Sequence, residues 1–302
     1  MANRVATIHL LLLTCFALTY SLSLQAGEPS YYAELTLASD SAVTIEAADI
    51  GANIDSNSDS TAALLLGGDY QFNNQLSLGY EFYNESYQDL SENNTQYHAL
   101  NASYDKNIGG IDFLLNTSRI DMTLDGDDFL VMDLIIPSLS YYFESGIYLN
   151  VSHIWIDKSF ENFADFDAKN NATGITAYYF FANSKAYASL SFSKGEENAN
   201  SNDNDYKEDV STIAFQYPVA VGPYASKLNI SYSLRDRDYS KVTDIDNIKS
   251  REEKNRFKIY LDSKIDDHWS VRATYDFNDR DSNLAESTYK SHYFGLRINY
   301  QN

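Results

Sequence analysis

Five basic side chains recur in step through the last quarter of the chain: Arg235, Arg256, Lys258, Arg272 and Arg297. Of the 22 lysines and arginines, 14 lie from Lys227 onward, so the enrichment belongs to this region. In extended chain, successive side chains point to opposite faces. Each of the five falls among the small and polar alternates of its segment, with apolar residues on the other face. Glu34, Asp69, Glu81 and Asp112 hold the same polar position in the early segments, and Asp262 and Asp276 accompany the basic residues late in the chain. A sheet closing on itself would bring the last segment against the first and set a basic wall beside an acidic one. A wet interior with such walls carries a transverse field that orients and selects small polar solutes. A dry interior would instead pair Arg235 and Arg272 with Asp262 and Asp276 into a rigid, non-conducting wall.

Catalytic chemistry finds less support. Beyond the N-terminal segment stand four histidines, His98, His153, His268 and His292. Alternation puts His98, His153 and His292 on apolar faces, and Asp266-Asp267-His268 reads as a solvated hairpin turn. None stands with a carboxylate and a hydroxyl as a nucleophile system requires, so neither enzymatic activity nor a cofactor is expected. Asp55 to Asp59, Asp121 to Asp128 and Asp203 to Asp209 mix carboxylates with oxygen-bearing neighbours of the kind calcium takes. None has the spacing of a calcium loop, so they read as solvated loops without a metal site. The formal net charge of -21 excludes a nucleic-acid binder, which must neutralise phosphates.

The elements that must position these residues are strands. From Tyr293 to Gln301, apolar Phe294, Leu296, Ile298 and Tyr300 alternate with Gly295, Arg297 and Asn299, the pattern of a closing strand with lipid outside and a wet lumen inside. The same alternation is clear at 76–82, 138–143, 174–181, 228–235 and 269–277. Weaker copies lie near 31–39, 62–72, 97–105, 111–119, 129–136, 147–156, 186–193, 210–217 and 256–262. The tally is fourteen if the stretch through Pro137 is one strand. Connections alternate in length too. Asn73 to Gln75, Lys106 to Gly110, Glu144 to Gly146, Asn183 to Lys185, Pro218 to Ser226 and Asp266 to His268 are short. Ser41 to Ser60, Glu85 to Asn94, Glu161 to Asn171, Glu196 to Asp209, Ser240 to Lys254 and Asp279 to Lys290 are long and polar. Short periplasmic turns and long outer loops make this pattern in outer-membrane barrels, and an even strand number then puts both termini in the periplasm.

Arg4, the apolar run from Ile8 to Leu24 and Gln25-Ala26-Gly27 read as a secretory signal peptide cut after Ala26. Cleavage removes Cys15, the only cysteine, so disulfides and thiolate chemistry are not expected. With 25 Tyr and 16 Phe, aromatic residues reach 14%, which suits the two interfacial girdles of a membrane barrel. A soluble β-sandwich also alternates, but it buries its apolar face and presents fewer outward tyrosines.

The reading is therefore an all-β chain: residues 1–26 a signal peptide, and 27–302 an antiparallel up-and-down barrel of about fourteen strands in the Gram-negative outer membrane. Its expected surroundings are outer-membrane lipid, lipopolysaccharide and the barrel assembly machinery, with no nucleic acid. Pore-lining candidates are Arg235, Arg256, Lys258, Arg272, Arg297, Glu34, Glu81, Asp262 and Asp276; the barrel-closing strand carries Gly295, Leu296, Ile298 and Tyr300. Asn53 to Asn57, Leu234-Arg235-Asp236-Arg237-Asp238-Tyr239 and above all Tyr275 to Leu284 resemble the barrel of the surface lipoprotein assembly modifiers, proteins that couple it to tetratricopeptide repeats. That resemblance implies a fourteen-stranded barrel handling passage across the outer membrane, here without the repeat domain. The expected function is porin-like passage of small solutes. Export of a surface lipoprotein or other client with a periplasmic partner, and a non-conducting structural barrel, are the alternatives.

Overall fold

A computed structural model describes residue 27 and residues 29–43, 58–242, 249–283 and 288–302. The signal-peptide segment, all of Asn53 to Asn57 and the tips of several predicted loops lie outside the described residues. Fourteen strands run in chain order: β1 (Pro29–Asp40), β2 (Asp59–Gln71), β3 (Leu76–Tyr87), β4 (Thr95–Ile108), β5 (Ile111–Leu124), β6 (Asp127–Tyr142), β7 (Ile147–Phe160), β8 (Ala168–Phe181), β9 (Ala186–Ala199), β10 (Tyr206–Val221), β11 (Tyr224–Val242), β12 (Lys249–Lys264), β13 (Trp269–Ser282) and β14 (Tyr289–Gln301). Each pairs antiparallel with its chain neighbour, and β14 pairs with β1 to close the barrel. Among the described residues no helix is long and apolar enough to cross a membrane.

Which face is which follows from burial. Leu35, Leu37, Leu139, Trp155, Ile175, Phe192, Ile213, Leu234, Phe294, Leu296 and Ile298 are exposed, whereas Ser138, Ser140, Asn229, Arg237, Glu252, Asp276, Asn278 and Ser291 are buried. The apolar side chains thus face outward and the polar ones inward, inverting the order of a water-soluble protein. A soluble sandwich is excluded, because its apolar face would be the covered one. An outward surface of this composition is satisfied by lipid.

Most strands exceed the roughly 9–11 residues that span a bilayer. Their extra length lies at the end away from the termini, where the sequence suggests loops. β13 runs on to Ser282, β9 to Ala199 and β11 to Val242, while β10 starts at Tyr206 and β12 at Lys249. Asp121 to Asp128 is corrected most: it is almost wholly strand, turned by Asp125 (φ 51°) and Gly126 (φ 84°) alone. Paired left-handed residues match the right-handed twist of a hairpin, so two residues suffice. Pro218 to Ser226 likewise shortens to a turn at residues 222–223. β6 passes through Pro137 as one strand, which makes the count fourteen, and its ladder to β7 lapses between Ile135 and Ser138, where proline offers no N–H.

Side-chain oxygens in three loops brace the backbone. Asn94 accepts the Tyr87 N–H at 2.8 Å, Asp167 that of Phe160 at 2.6 Å, and Asp205 that of Ala199 at 2.6 Å. At the terminal end, the β8–β9 turn places Ala182, Asn183 and Ser184 at φ 51°, 56° and 60°. Each such residue with a Cβ is strained. Ala182→Gly is expected to stabilise the barrel by about 0.5–1 kcal/mol, read as a raised denaturant midpoint in micelles. No gain would mean the neighbours already relieve the strain.

In the β12–β13 turn, Asp266 Oδ1 accepts the His268 and Trp269 N–H groups, both at 2.8 Å. These bonds hold its carboxyl below the ordinary value, the His268 contribution first. A depressed carboxylate adds stability that is present above its unfolded pKa of about 3.9 and lost as pH falls through the folded value. Asp266→Ala is therefore expected to lower stability at neutral pH and flatten its decline below about pH 4, measured by unfolding across pH. An acid limb unchanged in the variant would contradict this.

Candidate functional site: a basic wall in the lumen

Register pairs share a face of the sheet, so the ladder places every inward residue. Arg235, Arg256, Lys258, Arg272 and Arg297 all face the lumen on β11 to β14, as do Asp262, Asp276, Glu34, Glu81, Asp69 and Asp112. Gly295 is inward, and Leu296, Ile298 and Tyr300 are outward on the closing strand.

The arginines do not stand free. Arg272 Nε lies 2.5 Å from Asp262 Oδ1, one of the pairings the sequence left open. Arg235 departs from expectation: it meets Glu208 at 3.3 Å, while Asp276 belongs to Arg256 at 2.6 Å. The reason is register. Arg235 lies opposite Val210 on β10, one inward step from Glu208, whereas Asp276 lies one inward step from Arg256's partner Asn278. Arg297 reaches across the closing seam to Glu34 at 2.7 Å and donates to Thr36 at 3.2 Å. The early acids have other partners as well. Tyr32 donates to Glu81 at 2.5 Å, its ring lying over Gly67, where a Cβ would sit 2.2 Å from the ring. Asn107 donates to Asp112 at 2.6 Å.

Exposure divides the lumen into two levels. The side chains of Arg235, Arg256, Arg272 and Arg297 are 35, 38, 36 and 37% exposed, so water reaches this part of the wall. Further from the termini, Arg237 is only 2% exposed, held by Glu208 at 2.6 Å with its guanidinium 3.9 Å from the Tyr206 ring centre. Arg280 pairs with the buried Glu252, and Lys158 meets Glu197 at 2.7 Å, where Tyr206 and Asn170 also donate. Next to these, inward Met122, Leu130 and Phe160 pack with Phe129 into an apolar cluster completed by Tyr97, Leu124, Met132 and Phe166. At the outer level these side chains are buried against one another.

None of these outer-level residues is among the pore-lining candidates, though the sequence holds a signal for them. Arg237 is two residues past Arg235, Arg280 four past Asp276, and Glu252 four before Arg256, each on the same parity. Of the histidines, His98, His153 and His292 face outward as expected, bonded to Tyr80 at 2.6 Å, Thr173 at 2.7 Å and Tyr275 at 3.0 Å. His268 Nδ1 lies 3.0 Å from the Gln301 carbonyl. Among the described residues no group of three or more His, Cys, Asp or Glu is placed to hold a metal ion.

A closed, even-stranded antiparallel sheet with an apolar outside and a charged inside defines the class: a β-barrel of the outer-membrane kind. Solved structures agree on the fold. A loop-deletion form of OmpT, an outer membrane protein of Vibrio cholerae, is 12% identical with TM-score 0.55, covering 92% of this chain and 100% of that one. An anion-selective porin from Comamonas acidovorans gives 9% and 0.54, covering 92% and 100%. A bacterial polysaccharide outer membrane secretin gives 9% and 0.52, covering 89% and 98%. No protein-family profile and no curated protein matches the sequence, so the resemblance to surface lipoprotein assembly modifiers rests on the quoted residues alone.

Proposed function

We propose that this chain sits in a Gram-negative outer membrane, termini in the periplasm, and passes small polar solutes through its lumen. The observation that carries this reading is the wet level of the basic wall: four ion-paired arginines, each over a third exposed. Beside them along the wall are small inward residues, among them Gly174, Ser191, Ser193, Thr212 and Ser231, which leave room. An ion-paired wall with space before it suits a selective passage, because the fixed charges need no reorganisation as a solute goes by. The fold is shared with an anion-selective porin, which is consistent with such use of a basic wall. Lipopolysaccharide and the assembly machinery are the partners this location implies, and export of a client remains the alternative use of the same barrel.

A second reading is favoured by the outer level, where Arg237, Glu252 and the Met122–Phe160 cluster are packed out of water. It makes the barrel non-conducting at rest. Planar-bilayer recordings of refolded protein, after heat-modifiable mobility has verified folding, separate the two. Stable open steps support passage. A folded, silent barrel supports the closed reading.

A further inference from the structure

One cation on the wall lacks a carboxylate. Lys258 has register neighbours Ser231 on β11 and Asp276 on β13. Asp276 is turned to Arg256, whose Nε donates to both oxygens at 3.0 Å and whose Nη2 donates to Oδ2 at 2.6 Å. Arg272 is taken by Asp262 and Arg297 by Glu34. Four cations thus share three carboxylates, and among the described residues none of the carboxylates lies within ion-pair distance of Lys258. Below it, Tyr260 presents its ring to Lys258 at 5.9 Å and to Arg272 at 4.5 Å. A half-buried ammonium with no counter-charge of its own attracts an anion from solution.

The neighbouring wall says what else that anion carries. Ser231 faces Lys258 and Ser233 faces Arg256. Ser233 and Thr212 hydroxyls lie 2.7 Å apart, and Thr176 donates to Ser191 at 2.9 Å, continuing the row across β8 to β11. Hydroxyls both donate and accept, so such a row exchanges hydrogen bonds with a polyhydroxylated body. Small apolar anions would gain nothing from it.

Building on the passage reading, we infer that Lys258 and the adjoining hydroxyl row form a binding site for small hydroxy-carboxylates of the sugar-acid class. The carboxylate sits on the Lys258 ammonium and the hydroxyl-bearing carbons lie along Ser231, Ser233 and Thr212. The test is titration calorimetry of the full, refolded chain in micelles with sodium gluconate as probe, and glucose and sodium chloride as controls. Saturable gluconate binding is expected, weakened about tenfold or more in Lys258→Gln and retained in Lys258→Arg and in the outward-facing control Lys194→Gln. Equal binding by Lys258→Gln, or equal competition by equimolar chloride, would overturn the site. So would failure of the folded barrel to bind gluconate, whether or not it conducts. Gluconate binding by a barrel silent in bilayers would sustain the site and overturn the passage reading instead.

Discussion

Lys158→Met is expected to destabilise the folded barrel by about 3–5 kcal/mol, the typical cost of leaving a buried charge without its partner. Lys158 and Glu197 side chains are 8 and 10% exposed and 2.7 Å apart. Methionine keeps the volume but abandons the Glu197 carboxylate to the Tyr206 hydroxyl at 3.0 Å and the Asn170 amide at 3.4 Å. Neither supplies a charge. Removing both charges together, Lys158→Met with Glu197→Gln, is expected to recover most of the loss, since a buried pair contributes little over a neutral isostere. Urea unfolding in lipid or detergent reads both variants. A single variant within about 1 kcal/mol of the parent would show that water reaches Glu197.

Arg256→Gln is expected to move permeability toward cations. It deletes a positive charge and also releases Asp276, otherwise held by three hydrogen bonds. One unit charge about 6 Å from a passing ion in a water-like medium changes its energy by about 0.7 kcal/mol, with opposite sign for anion and cation. The cation-to-anion ratio therefore rises by about tenfold, seen as a shifted reversal potential under a salt gradient. Arg256→Gln with Asp276→Asn leaves the net charge of the wall unchanged and is expected to return near the parent value. Unchanged reversal potential in the single variant would mean that ions do not pass this wall.

The strand count, the two faces and the basic wall were legible because each rests on parity, which a lipid–water boundary enforces along every strand. Partners within the wall, Asp262 for Arg272 and Glu208 for Arg235 among them, could not be told in advance, because pairing depends on inter-strand stagger that alternation alone leaves undetermined. The outer level was hidden for another reason. Polar runs suggest loops, yet Glu197, Glu208, Glu252 and Arg280 lie in strands, because strands above a membrane are wetted on their outer face and carry charge there. In β5 and β6 the alternation is weaker because Ile120, Met122, Leu130 and Met132 are apolar on the lumen side as well, which erases the contrast between faces.

Closure between β1 and β14 has a consequence for how the molecule is made. Tyr32 pairs with Gln301 and Asp40 with Tyr293, so the seam joins the two ends of the sheet. Every other strand finds its partner next along the chain, but these two wait until synthesis and delivery are finished. Until then the sheet has two raw edges, each a template for any other strand nearby. Both edges therefore stay open to mispairing until the first and last strands meet, and that single pairing removes them together.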